Sequence, residues 1–183
     1  MSFTDTLITR FRHKDLSALR QLAEGYRGAN YLEVPLVSEH TCLVARQQGT
    51  IVGFVLFTQG EAVSAATRRH LVAEGLAAPM EGVAWIKDVV VAPTAAGGNA
   101  VEQGLLAAAV GQLNQQAAAL VLLAAWISPD GISLDALARR QGFHILGGLP
   151  SHWREASLAR GYRCRVCGTP PCECNAVLYA KRL

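Results

Sequence analysis

The sequence predicts an α/β (α+β) fold in which helices flank a central mixed sheet. Runs typical of strands alternate with runs typical of helices along the chain, and a β-hairpin interrupts the alternation. The composition excludes disorder, because hydrophobic residues make up 51% of the chain and charged residues only 17%. A length of 183 residues suits one domain with its own core, which we assign to residues 1–183.

The first half of the chain contains the predicted hairpin. Alternation in residues 6–12 predicts a strand, and leucines at helical spacing in residues 13–25 predict a helix that ends at a glycine. The β-rich runs 41–46 and 51–58 are joined by a short turn with a glycine, which is the pattern of a hairpin. The alanine-rich segment 61–75 predicts a further helix.

The second half alternates between strands and helices. Its predicted strands are residues 83–92, 120–126, 144–146 and 176–181. Its predicted helices are residues 100–117 and 133–141. Strong helix formers fill the first of these helices, and the unbroken apolar run 120–126 is typical of a strand that is buried on both faces.

Hydropathy predicts a protein outside the membrane. The longest unbroken apolar run, residues 117–127, has eleven residues, whereas a transmembrane helix needs about twenty. The N-terminal residues 1–15 show no apolar region of the kind found in secretion signals. We therefore expect a cytoplasmic protein.

The segment from residue 89 to residue 101 carries the strongest indication of ligand binding. An apolar strand is followed by Pro93, then by Gly97 and Gly98, and then by a helix. Glycines at such a turn leave backbone amides uncovered, and the helix N-terminus adds the positive end of a dipole. The pattern predicts an anion site suited to a pyrophosphate, although a plain connection of small residues has the same pattern.

The string DVVVAPTAAGGNAVEQGLL resembles the acetyl-CoA loop of the GNAT acyltransferase superfamily. The downstream run AWISPDGISLDALARRQGFHILGGLP, with its Gly142-Phe143 corner, and the terminal AVLYAKRL are similar to later parts of the same family. The resemblance implies a mixed, mostly antiparallel sheet. It also implies that backbone amides hold the CoA pyrophosphate and that strand residues pair with the pantetheine arm. The residues it assigns to CoA are Val89, Val91, Gly97, Gly98, Asn99, Ala100 and Val101.

The resemblance breaks at the residues that perform acid–base chemistry. Ala138 stands where the family often has a tyrosine, Gly131 where it often has an asparagine, and residues 124–127 offer no carboxylate. The catalytic candidates that we name instead are Asp88, on the fourth strand, and His152, beyond the corner. Asp88 also suits a strand-edge carboxylate that pairs with an arginine or faces water. The alternatives left open are His144, Tyr162, Ser133 (which better suits a helix N-cap) and a route through water.

Four of the five cysteines lie within eleven residues. Cys164 and Cys167 are separated by two residues and precede a glycine, and Cys172 and Cys174 follow a Pro-Pro turn. Four thiolates complete a tetrahedral, structural Zn²⁺ site with no open position. Disulfides, a redox switch, or His152 replacing one ligand remain open. We expect the metal to order an inserted loop, residues 150–175, beside the acceptor pocket.

The charge distribution has a local explanation in these cysteines. The chain carries 17 Lys and Arg against 14 Asp and Glu, and residues 151–183 hold six of these cations and two of these anions. A basic end often indicates a nucleic-acid partner. Four thiolates around Zn²⁺ leave a net charge of about −2, however, and neighbouring arginines would balance it. Nucleic acid is therefore not the favoured partner.

The resemblance implies an acetyl-CoA-dependent N-acetyltransferase that transfers the acetyl group directly to an amine. The acceptor is expected to be a small-molecule or peptide amine, and the sequence does not name it. The alternative is a non-catalytic module of this fold that binds CoA or a protein, and a nucleic-acid-associated zinc protein is a third hypothesis. The length of the acyl group and the formation of a homodimer are left open.

Overall fold

The computed structural model describes residues 5–32, 37, 39–60, 63–76, 82–129 and 131–183. The strands are β1 (Thr6–Arg10), β2 (Thr41–Gln47), β3 (Thr50–Gln59), β4 (Val83–Val91), β5 (Leu120–Ser128), β6 (Gly131–Ile132), β7 (His144–Leu149) and β8 (Ala176–Arg182). The helices used below are α1 (Leu16–Arg27), α2 (Ala65–Ala73), α3 (Gly98–Gln115), α4 (Asp135–Arg140) and α5 (Arg154–Arg160). Among the described residues, no helix combines the length and the apolar character that crossing a bilayer requires.

One sheet organises these elements. Its strand order is β1-β2-β3-β4-β5-β8-β7, and the short β6 pairs with the end of β5. Neighbouring strands are antiparallel except β4 and β5, which are parallel. The predicted mixed, mostly antiparallel sheet with flanking helices is confirmed.

The predicted hairpin is β2 and β3, joined by a two-residue turn. Gln48 and Gly49 both have positive φ, at 49° and 82°. A turn of this kind matches the natural twist of two antiparallel strands. It also fixes the register, which pairs Gln47 with Thr50 beside the turn.

β4 and β5 separate halfway along their length. They are paired only from Val83 with Leu120 to Ile86 with Leu123. At that point the pairing of β3 with β4 shifts register at a bulge, where β4 has one residue, Lys87, more than β3. Beyond the bulge, residues 87–91 of β4 and 124–128 of β5 border an opening that we call the notch.

Two apolar layers cover the two faces of the sheet. On one face, α3 packs Leu105, Leu106 and Leu113 against strand residues that include Ile86 and Val89. On the other face, α1 packs against residues of β2, β3 and β4, including Val44, Phe54 and Val90. The notch therefore lies between two helices, with α1 above one face and α3 below the other.

Several boundaries differ from the sequence predictions. β1 ends at Arg10, and a 3-10 turn precedes α1. Helix α1 continues past its predicted end at Gly25 to Arg27, and its C-cap is Gly28, where φ is 115°. The predicted helix 61–75 begins at Ala65 with Ser64 as its cap, and residues 61 and 62 lie outside the described residues. The predicted N-cap at Ser133 is wrong, since α4 is capped by Leu134 in the left-handed conformation. The sequence analysis also missed α5, which lies inside the expected loop.

Candidate functional site

A loop of small residues leads from β4 into α3. The amide of Ala92 donates to the carbonyl of Val52 at 2.7 Å, and the amide of Ala95 donates to the carbonyl of Ala92 at 3.0 Å. Gly97 follows in the left-handed conformation, with φ 65° and ψ 41°, and α3 begins at Gly98. Glycine suits this position because it adopts positive φ without steric cost.

The amides assigned to CoA from the sequence fall into two groups. Those of Ala100 and Val101 donate to the carbonyl of Gly97, at 2.8 and 3.1 Å, and so close the first turn of α3. The amides of Gly97, Gly98 and Asn99 have no acceptor among the described residues. Three uncovered donors at the positive end of an 18-residue helix form an anion-binding geometry.

Val89 and Val91 lie on the β4 side of the notch. Their side chains belong to the apolar layer under α3, and their partners on β3 are Val55 and Gly53. The other edge of β4 at these residues pairs with no strand among the described residues. An extended ligand is therefore sterically able to lie along this edge, as an added strand does.

A cavity of about 670 Å³ opens beside the notch. Ile86 and Lys87 of β4 and Ala124 of β5 line the cavity, so the cavity adjoins the notch at the point where the two strands diverge. Four aromatic side chains are among the residues that line it, namely Tyr31, Trp85, His152 and Trp153. A cavity with space for a second molecule therefore lies next to the point where β4 and β5 diverge.

His152 lies in this cavity between two tryptophans. Its ring stacks on that of Trp85 with 6.4 Å between centroids, and it meets the ring of Trp153 edge-on at 4.8 Å. Burial, together with the nearby charge of Lys87, lowers the pKa of His152 to about 4. The imidazole is therefore neutral at neutral pH and has one nitrogen lone pair available.

Asp88 is buried, with 2% of its surface exposed, and both of its carboxylate oxygens are paired with one arginine. Nε of Arg27 donates to Oδ2 at 2.9 Å, and Nη2 of the same guanidinium donates to Oδ1. The guanidinium carbon lies 5.6 Å from the centre of the Trp126 ring. This pair ties the C-terminal end of α1 to β4 at the edge of the notch.

The sulfur atoms of Cys164, Cys167, Cys172 and Cys174 lie within 4.8 Å of one another. Cys174 is 3.6 Å from Cys164 and 3.4 Å from Cys167, and Cys167 is 4.0 Å from Cys172. Four thiolates at tetrahedral positions around Zn²⁺, each about 2.3 Å from the metal, would be about 3.8 Å apart. The donor set therefore fits a closed Zn²⁺ site in both chemistry and spacing.

Backbone amides also point at these sulfur atoms. The amide of Val166 donates to Sγ of Cys164 and the amide of Glu173 donates to Sγ of Cys167, both at 3.4 Å. Burial raises the pKa of Cys172 and of Cys174, and it would raise that of Cys164, where the amide hydrogen bonds lower the pKa overall. Donors of this kind stabilise thiolate, which is the form that binds metal.

The cysteine loop packs against α1. The amide of Arg163 donates to the carbonyl of Ala29 at 2.9 Å, and the amide of Arg165 donates to the carbonyl of Arg27 at 3.0 Å. A side chain at Gly28 would put its Cβ 1.8 Å from the carbonyl oxygen of Arg163. Only glycine permits this approach, so the chain at residues 27–29 is shaped to receive the cysteine loop.

The same loop also reaches the cavity. The amide of His152 donates to the carbonyl of Cys174 at 3.1 Å. The hydroxyl of Ser157, on α5, accepts a hydrogen bond from the amide of Cys172 at 2.8 Å. A metal bound by these cysteines would order the loop that is hydrogen-bonded to the backbone of His152 and to the backbone of Arg27.

The remaining sequence candidates lie away from the cavity. His144 is exposed on the edge strand β7, and Tyr162 is buried against Tyr31 near the cysteines. Ala138 is buried in the layer under α3. The Ser133 hydroxyl is buried with no hydrogen-bond partner among the described residues.

No sequence pattern indicates the residues whose role depends on distant partners. Tyr31, Trp85 and Trp153 line the cavity, and Arg27 pairs with Asp88 at the edge of the notch, yet none of the four belongs to a motif. The one available signal was compositional, since tryptophans are few in this chain and two of the three reach the cavity.

Comparison with known proteins addresses the fold. No protein-family model and no curated protein sequence matches the chain. Solved structures do match. The ribosomal-protein-alanine N-acetyltransferase of Brucella melitensis is 18% identical, with a TM-score of 0.65 over 97% of this chain and 99% of that one. The chain has the GNAT fold.

Two further structures with the GNAT fold match over almost their whole length. The IAA acetyltransferase of Bacillus cereus ATCC 14579 is 16% identical, with a TM-score of 0.67 over 98% of this chain and 100% of that one. The ribosomal-protein-S18-alanine N-acetyltransferase of Escherichia coli is 15% identical, with a TM-score of 0.64 over 97% and 94% of the two chains. The family resemblance stated from the sequence is confirmed at the level of the fold, and it extends beyond the segments that suggested it.

Proposed function

We propose that the protein is an acetyl-CoA-dependent N-acetyltransferase that acts on a small-molecule or peptide amine. The observation that carries this proposal is the adjacency of three features. Uncovered amides at the start of α3 suit a pyrophosphate, the notch suits an extended arm, and the cavity beside the notch offers room for an acceptor. A ligand spanning the first two features would present its reactive end to the third.

CoA has the chemistry that these features require. Its pyrophosphate would accept hydrogen bonds from the amides of Gly97, Gly98 and Asn99 at the helix N-terminus. Its pantetheine amides would pair with the open edge of β4 at Val89 and Val91. Ala100 and Val101 would contribute the turn that aims the three free amides.

The proposed reaction is direct transfer. The amine nitrogen attacks the thioester carbonyl, a C–N bond forms, and the C–S bond breaks to release the CoA thiolate. The nitrogen gives up one proton to a base, and the thiolate takes up a proton to become the thiol. The protein contributes positioning of the two substrates and a group that accepts the proton.

Asp88 and His152 are the two candidate bases, and the geometry favours His152. Protonation of Asp88 would break a buried ion pair with Arg27, because both of its oxygens already accept from that guanidinium. His152 lies in the cavity itself and is neutral, so its lone pair can accept a proton, and its lowered pKa makes it a weak base that releases the proton readily. In this proposal Asp88 fixes the end of α1 beside the notch.

Replacement of His152 by phenylalanine is expected to lower kcat by about 100-fold, because the ring and its stacking remain while the proton acceptor is lost. CoA affinity should stay within about threefold of the parent, since the cavity that His152 lines does not include the loop before α3. Steady-state kinetics and calorimetry measure the two effects. His144→Phe, an exposed histidine on β7, is the matched control, and equal losses in the two variants would contradict the role of His152.

Asp88→Asn and Arg27→Gln separate the two roles of the ion pair. If the pair is structural, each variant leaves one buried partner alone, and both should lower stability by about 3 kcal/mol and reduce kcat together. If Asp88 is the base, Arg27→Gln should retain turnover while Asp88→Asn loses it. Thermal unfolding and kcat of the two variants decide between these outcomes, and we expect the first.

We further propose that Cys164, Cys167, Cys172 and Cys174 bind one structural Zn²⁺. The sulfur spacing and the N–H···S hydrogen bonds support this site. Four protein ligands leave no position for a reactive water, so the metal would take no part in the chemistry.

The second candidate function is a non-catalytic CoA-binding module. Two observations favour it, namely that Ala138 offers no phenol and that Asp88 is engaged by Arg27. Release of CoA thiol from acetyl-CoA across a panel of amines, measured beside CoA binding, distinguishes the two functions. Binding with turnover supports the enzyme, whereas binding without turnover on any amine supports the module.

A further inference from the structure

A buried glutamine joins the β2–β3 hairpin to the loop before α3. Gln47, the last residue of β2, is only 7% exposed. Its Oε1 accepts from the amide of Ala96 at 3.1 Å, and its Nε2 donates to the carbonyl of Ala96 at 2.8 Å. The same Nε2 donates to the hydroxyl of Thr6 at 3.0 Å. One side chain thus binds both backbone groups of Ala96.

A buried amide side chain is costly unless it is fully hydrogen-bonded, and this one is. Gln47 and Ala96 are 49 residues apart in the sequence, so only the fold brings them together. The bonds to Ala96 replace the pairing that a strand would provide. The sheet therefore extends its hydrogen bonding into a loop that has no strand structure of its own.

Gln47 holds the part of the loop that lies between two other backbone anchors. Upstream, Ala95 is tied to Ala92 and through it to β3. Downstream, the first turn of α3 closes on the Gly97 carbonyl. Among the described residues, the peptide groups of Ala96 between these two anchors are bound by Gln47 alone.

We infer that Gln47 is a positioning residue for the CoA pyrophosphate. It fixes the Ala96 peptide, which sets the direction of the amides of Gly97, Gly98 and Asn99 before a ligand arrives. A site that is ordered in advance binds more tightly, because less conformational entropy is lost on binding. This inference rests on the proposed function, since it takes CoA to be the ligand.

Gln47→Met tests the inference with little loss of packing, because methionine has a similar length and fills similar volume without the hydrogen bonds. The dissociation constant for CoA is expected to rise by about tenfold, as two hydrogen bonds to the loop are lost. Amide hydrogen exchange of the unliganded protein should increase in peptides that cover residues 94–101 and stay unchanged elsewhere.

Gln59→Met is the matched control, because Gln59 ends β3 at the opposite end of the same sheet and donates to the carbonyl of Gln116 beyond the far end of α3. It should leave the CoA dissociation constant within about twofold of the parent. An unchanged dissociation constant in Gln47→Met, or an equal rise in both variants, overturns the inference while the proposed function stands. A parent protein that binds no CoA overturns both.

Discussion

Gly98→Pro is expected to lower CoA affinity by at least about 100-fold. Proline at the first position of a helix is tolerated, so α3 should still form. The substitution removes one of the three free amides, however. It also disfavours α-type backbone angles at the preceding residue, where Gly97 adopts φ 65° and ψ 41°. Both effects act on the proposed pyrophosphate site, and calorimetry with CoA measures their sum.

Asn99→Ala provides the contrast to that variant. It removes a side chain but keeps the amide, and the Asn99 side chain is exposed. If the loop binds through its backbone, the CoA dissociation constant of Asn99→Ala should stay within about threefold of the parent. Binding by Gly98→Pro that equals the parent's would place the CoA site elsewhere on the molecule.

Loss of the metal is the second change with a large expected effect. Protein purified without added zinc should contain one Zn²⁺ per chain, held by the four clustered cysteines. Chelation or Cys167→Ser is expected to lower the melting temperature by roughly 10 °C, because metal binding is coupled to the order of the loop. The KM for the acceptor should rise by at least about tenfold, since the amide of His152 is bound to Cys174.

CoA affinity should survive the loss of the metal, because the loop before α3 is fixed by β2 and β3 instead. Cys42→Ala is the matched control, as Cys42 is a buried cysteine of β2 outside the cluster, and its loss should leave the metal content at one per chain. Substoichiometric metal with four titratable thiols in the folded protein would contradict the zinc site. Loss of CoA binding on metal removal, in an otherwise folded protein, would contradict the proposal that the metal affects only the cysteine loop and the acceptor cavity.

The elements that local patterns determine were predictable. The hairpin followed from two β-rich runs around a glycine turn, and the turn before α3 followed from Pro93, Gly97 and Gly98. The four cysteines were predicted to converge because they lie within eleven residues, and their sulfur atoms do lie together. In each case the partners are close in sequence, so short-range geometry suffices.

The contacts that define the site are long-range and were not predictable. Arg27 meets Asp88 across 61 residues, and Gln47 meets Ala96 across 49. The sequence leaves Asp88 open between a candidate base and a carboxylate paired with an arginine, and it does not indicate which arginine is the partner. The helix α5 was missed because the cysteine motif that follows it favoured a loop over the whole of residues 150–175.

Transfer of a labelled acetyl group tests the central claim most directly. The protein is incubated with acetyl-CoA that carries an isotopic label in its acetyl group, with and without a panel of small-molecule and peptide amines. We predict that the label appears as an amide on an acceptor, with one CoA thiol released per amide formed and with no label on the protein when the acceptor is absent. A protein that binds CoA but transfers no label to any amine, or that retains the label on one of its own cysteines, would contradict direct N-acetyl transfer.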